Sequence, residues 1–102
     1  MIASFSIVPI GVGEELKEKI AEIVPIIEGS NVHYVMGAMQ TTVEGDSEKV
    51  LEVIMACHRH IRTVAPRVLT HITIDDREGA VGRLNGKVND VEVALGRKLC
   101  RE

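Results

Sequence analysis

The order of strand-like and helix-like segments predicts a single α+β domain over residues 1–102, a ferredoxin-like βαββαβ sandwich with an antiparallel sheet and an additional C-terminal helix. Three observations carry this. Residues 2–9 alternate apolar and polar with a period of two. Val50, Ile54, Cys57, Ile61 and Val64 recur at helical spacing between two strand-like segments. The first and second halves each read strand, helix, strand, which right-handed crossovers fold into one sheet with both helices on the same side.

In the first strand Ala3, Phe5 and Ile7 share one face and Ser4, Ser6 and Val8 the other, until Pro9-Ile10-Gly11 breaks the pattern. Leu16, Ile20, Ile23, Val24 and Ile27 then predict a helix over residues 14–28. Pro25 inside it removes a backbone donor and predicts a kink or an early end. After the turn Gly29-Ser30-Asn31 come two strands, Val32 to Met36 and the Thr-rich Met39 to Glu44, separated at Gly37. Asp46 or Ser47 is placed to cap the second helix, and Pro66 closes it. In the fourth strand, Val68 to Asp75, one face carries Val68, Thr70, Ile72 and Ile74. The other carries Leu69, His71, Thr73 and Asp75. A last helix bears the stripe Leu84, Val88, Val91, Leu95 and Leu99, with Gly82 and Gly86 weakening its start.

Composition excludes several function classes. The net charge of −3 offers no basic excess for phosphate backbones or anionic membranes. With Phe5 and Tyr34 the sole aromatics, the chain has no stacking platform for single strands, so neither nucleic acid nor membrane is expected as a partner. No apolar run reaches the roughly 20 residues of a membrane span. The first residues lack the basic start and apolar stretch of a signal peptide. Cys57 and Cys100 form no CxxC pair, and the expectation is a reduced, cytoplasmic protein.

The two sheet faces differ. Phe5, Ile7, Val43, Ile72 and Ile74 make a helix-facing layer. The opposite face carries Ser4, Ser6, Val8, Gln40, Thr42, Glu44, Leu69, His71, Thr73 and Asp75. An antiparallel sheet can leave such a face in water. Small hydroxyls and acids among Val8 and Leu69 also suit a protein interface or a pocket floor, and the last helix could fold back over part of it.

Discrete motifs add little. His58 and His60 point roughly 200° apart on a helix and cannot chelate one ion, and His33 and His71 lack a third ligand. No metal or cofactor is expected. Ser6, His71 and Asp75 could form a catalytic trio, but no nucleophile elbow accompanies them. Gly11-Val12-Gly13 completes no phosphate-loop motif. Asp75-Asp76-Arg77 reads as a surface ion pair or as a carboxylate offered to a cationic ligand.

Four segments together resemble the thiamine-binding protein family of small ferredoxin-like proteins. They are Ser6 to Gly11, Tyr34 to Gly45 with its Met-x-Thr-x-x-Glu-Gly core, Arg67 to Arg77, and Lys87 to Val91, with His58 between. Ala38 and Gln40 depart from the family's usual Gly-Met-Gly-Thr or Pro-Met-Gly-Thr. The resemblance implies a non-enzymatic protein that assembles into dimers or tetramers through its sheets. It would bind thiamine or its hydroxymethylpyrimidine portion at an oligomer interface, as carrier or sensor. For such a ligand Glu44 and Asp75 would supply charge. Ser6, Gln40, Thr41, Thr42 and Thr73 would supply hydrogen bonds, and Val8, Tyr34 and Met39 an apolar wall. A cofactor-free enzyme using His71 and a purely structural assembly domain are the alternatives.

Overall fold

The computed structural model describes residues 1–13 and 16–100. Its elements are β1 (Ile2–Ile10), α1 (Leu16–Ala21), α2 (Val24–Glu28), β2 (His33–Met36), β3 (Thr41–Glu44), α3 (Ser47–Val64), β4 (Arg67–Asp75) and α4 (Arg83–Leu95). Every neighbouring pair in the sheet is antiparallel, in the order β2-β3-β1-β4. This is the ferredoxin-like arrangement with a trailing helix.

The single helix expected over residues 14–28 is two short ones. Pro25 sits in the first turn of α2, where its missing N–H costs nothing. The chain therefore breaks ahead of the proline and restarts on it. Glu14 and Glu15 lie outside the described residues.

Alternation along β1 sends Ala3, Phe5 and Ile7 into the core and leaves the even positions on the far face. They meet Ile23 and Ile27 from the α1–α2 segment and Val50, Val53, Ile54, Cys57 and Ile61 from α3. Burial of each large aliphatic side chain contributes about 1.5–3 kcal/mol, which makes α3 the main source of cohesion. Polar ties flank this layer. His58 Nδ1 lies 2.7 Å from Thr70 Oγ1 on β4, and His60 Nε2 lies 2.9 Å from Glu22 Oε1. The two histidines serve different neighbours, as their helical spacing requires. At the far end Gly11 has φ +88°, and a Cβ there would stand 2.8 Å from Pro66 Cγ, so only glycine permits the close passage of the β1 and β4 ends.

One expected packing relation is corrected. Ile72 and Ile74 do face the helix side, opposite Phe5 and Ala3, but they are 41% and 46% exposed. β4 is an outer strand, and the helix layer meets it at Val68, which packs on the core, and at Thr70, which bonds His58. No helix among the described residues is long and apolar enough to cross a membrane.

Burial pushes the Cys57 thiol up to about 11, while Cys100 is exposed. At pH 8 a haloacetamide is expected to label Cys100 and spare Cys57 in the folded protein, read by peptide mass spectrometry. Equal labelling of both would contradict the placement of Cys57 in the core.

Candidate functional site

The open face of the sheet is built by register. Ile2 lies between Glu44 and Asp75, Ser4 between Thr42 and Thr73, Ser6 beside His71 and Val8 beside Leu69. Val35 of β2 extends the second row past Thr42. Since a strand alternates faces, these side chains all project away from α3.

Helix α4 folds back over this face and packs on β3 and β2. Between roof and floor runs a cleft of about 460 Å³. Ser4, Gln40, Thr42 and Thr73 give its floor hydroxyl and amide groups, and Ile2, Val35, Leu84 and Val88 its apolar walls. Ala3, Asp75, Arg83, Asn85, Lys87 and Cys100 complete the lining. A smaller cavity of about 70 Å³ adjoins it, where Met1, Glu44, Arg77 and Ala80 join Ile2, Asp75, Arg83 and Lys87. The larger volume falls in the range of small-molecule sites.

No residue of α4 is fully buried, and polar contacts add to the packing of half-buried Leu84 and Val88 in holding it. Its N-cap is Gly82, in the left-handed region at φ 66°, with no side chain to satisfy the first N–H groups. Glu44 does so from β3: Oε2 accepts from the Arg83 N–H at 2.8 Å and Oε1 from the Leu84 N–H at 3.1 Å. One turn on, Lys87 Nζ donates to Asp75 Oδ2 at 2.5 Å. The Lys87 hydrogen bond and charge, with Arg77 and Arg83 behind them, hold the Asp75 carboxyl below its ordinary range. Arg83 Nη2 donates to Asp90 at 2.8 Å along the helix. Gly96 ends the helix in the left-handed conformation, which leaves Leu99 of the predicted stripe beyond it, its N–H bonded to Glu92 Oε2 at 2.7 Å.

The residues singled out from sequence divide into groups. Gln40, Thr42, Thr73 and Asp75 line the cleft. Glu44 lines the small cavity, but it is only 8% exposed and its carboxylate is committed to α4. Ser6 and Val8 share the open face but lie further along β1, outside the cleft lining. Tyr34 and Thr41 project from the other face. They pair with Val43 and Phe5, and the Tyr34 hydroxyl donates to Glu28 at 3.2 Å. Alternation within β2 and β3 imposes this, because Tyr34 and Thr41 share the parity of core Val43. Met39 is 86% exposed in the β2–β3 connection. Ile2, Ser4, Val35, Arg83, Leu84, Asn85, Lys87, Val88 and Cys100 were not singled out. Ser4 and Val35 were recoverable from parity, whereas the α4 residues depended on knowing where that helix lands.

Ser6 and His71 are cross-strand neighbours, but Asp75 is four residues further along β4, about 13 Å away at strand rise, so the trio does not close. Among the described residues no three His, Cys, Asp or Glu side chains gather as a metal site.

Fold and cleft together define a small ferredoxin-like domain with a ligand-sized space between its sheet and a trailing helix. The chain belongs to the thiamine-binding protein family, whose profile matches residues 3–92. It is similar to a UPF0045 protein of Mycobacterium tuberculosis, 32% identical over 93 residues, covering 90% of this chain and 91% of the relative. A solved protein from Methanocaldococcus jannaschii shares the fold with a TM-score of 0.81 at 22% identity, covering 88% of this chain and 93% of that one. A candidate thiamine biosynthesis or salvage protein from Thermotoga maritima superposes with a TM-score of 0.77 at 26% identity, covering 88% and 96%.

Replacing Glu44 with Ala leaves two helix N–H groups without their partner. It is expected to cost about 1–3 kcal/mol, with α4 amides losing hydrogen-exchange protection before the core does. Unchanged α4 protection would contradict the capping role. Because the Asp75 carboxyl is held down in the folded state, the ion pair contributes above the unfolded carboxylate pKa and is lost as pH falls through the lowered value. NMR titration should therefore show the Asp75 midpoint rise in Lys87→Gln; an unmoved midpoint would refute Lys87 as the main cause.

Proposed function

We propose that the chain is a non-enzymatic carrier or sensor that binds thiamine or its hydroxymethylpyrimidine portion in the cleft between the sheet and α4, and that it works as a homo-oligomer. One observation carries the ligand reading: the row Val35–Thr42–Ser4–Thr73, with Gln40, sets donors and acceptors beneath aliphatic walls. An aminopyrimidine is flat, presents ring-nitrogen acceptors and an amino donor, and has apolar faces. Hydroxyls and a carboxamide can answer both kinds of polar group, and Ile2, Leu84 and Val88 the faces. Membership of the thiamine-binding family and the fold shared with the Thermotoga protein support the same ligand class.

Self-association is supported by what the chain leaves uncovered. Ile72 and Ile74 stand exposed beside the unpaired outer edge of β4, and Val8 and Leu69 on the open face. Exposed strand edges and grouped apolar residues are features that a second copy would cover.

Calorimetry with thiamine and with hydroxymethylpyrimidine tests the ligand. Saturable binding is expected, together with slower alkylation of Cys100, which lines the cleft. No heat at millimolar ligand would sink the reading. Light scattering tests assembly: a dimer or tetramer is expected at micromolar protein, and a monomer there would rule out the oligomer.

A further inference from the structure

The charges at the annex end of the cleft are weighted toward cations. Of the two carboxylates there, Glu44 gives both oxygens to α4 N–H groups, while Asp75 gives Oδ2 to Lys87 at 2.5 Å. Three cationic side chains, Arg77, Arg83 and Lys87, line the annex of about 70 Å³ together with Met1, whose N-terminal ammonium donates to Gly45 O at 3.1 Å and lies 3.9 Å from Asp76. Arg83 also reaches Asp90, which is outside the annex lining and exposed. A cation approaching Asp75 would meet Lys87 already on that carboxylate and the two arginines beside it.

The same arrangement suits an anion joined to a ring. Annex and cleft share Ile2, Asp75, Arg83 and Lys87, so they are continuous and one molecule can occupy both. The annex has room for a group the size of a phosphoryl. Lys87 has three N–H donors and uses one on Asp75, while guanidinium groups bind phosphate through paired donors.

We infer that the cleft takes a phosphate monoester of the pyrimidine, with the ring on the Ser4–Thr42–Thr73 floor and the phosphate in the annex against Arg77, Arg83 and Lys87. This rests on the pyrimidine reading above and adds the charge class of its ligand.

The test is calorimetry at low salt with hydroxymethylpyrimidine, its phosphate ester, thiamine and inorganic phosphate, on the unaltered protein and on Lys87→Gln and Arg77→Gln. The ester is expected to bind about tenfold or more tighter than the free alcohol, a gain typical of hydrogen bonds to charged groups. Both variants should lose most of that gain. Lys87→Gln should in addition bind thiamine more tightly than the unaltered protein, because Asp75 is released to a ligand cation. A variant that merely folded badly would weaken every ligand together. An ester no tighter than the alcohol, or thiamine tightest in all three proteins, overturns the inference and leaves the pyrimidine reading standing. Inorganic phosphate binding as tightly as the ester, or no binding by any of the four, overturns both.

Discussion

The Glu44 carboxylate joins the two halves of the site. A buried carboxylate is costly unless it is hydrogen-bonded, and the first N–H groups of a helix are costly unless something accepts from them. Here each settles the other, at 2.8 and 3.1 Å. The positive end of the helix dipole adds to the attraction. Gly82 makes the arrangement necessary, since the cap position has no side chain and takes a left-handed turn instead. A helix with no fully buried residue is thereby pinned to the end of β3. Without that pin the open face has no roof, and Ser4, Thr42 and Thr73 would be solvated sheet rather than a cleft floor.

The chain meets only part of its own need for burial. Its core is a single layer between α3 and β1, completed by the α1–α2 segment. Ile72 and Ile74 continue that layer along β4 but stay partly exposed, and α3 leaves Leu51 and Met55 exposed on the side that carries His58 toward β4. On the other face Val8 and Leu69 lie beyond the cleft. For about 100 residues this is the usual limit of surface to volume, and association is one common way past it. The proposed oligomer therefore has two separate surfaces to draw on, the β4 flank and the free part of the sheet.

Period-two and period-3.6 patterns made most of the fold legible, because burial on one face is what each element has in common with the next. Pro25 was readable as a disruption, though not as the start of a new helix; that outcome depends on the tolerance of a first turn for a missing donor. The site was legible wherever strand parity governs it. Thr42, Thr73 and Asp75 follow from parity, and parity also places Tyr34 and Thr41 on the core side. The run Tyr34 to Gly45 crosses both faces, so membership in it says nothing about which way a side chain points. The roof was the illegible part. That Glu44 would reach Arg83, 39 positions away, has no local signature, since nothing near Gly82 marks the absence of a cap as an invitation to a distant carboxylate.

Glu44 and Asp75 carry the same charge and lie on the same face, yet the structure gives them different work. Glu44 is buried and bonded to backbone, an interaction whose loss leaves groups unsatisfied. Asp75 and Lys87 are each more than half exposed, and solvent and salt screen such a pair so that it adds little to the fold. A ligand can therefore rearrange the Asp75–Lys87 pair at little cost while α4 stays held by Glu44. This division matters for recognition. Attachment of the roof and electrostatic selection of the ligand rest on different residues, so Lys87 and Arg77 are free to set which charge the cleft accepts without deciding whether the cleft exists.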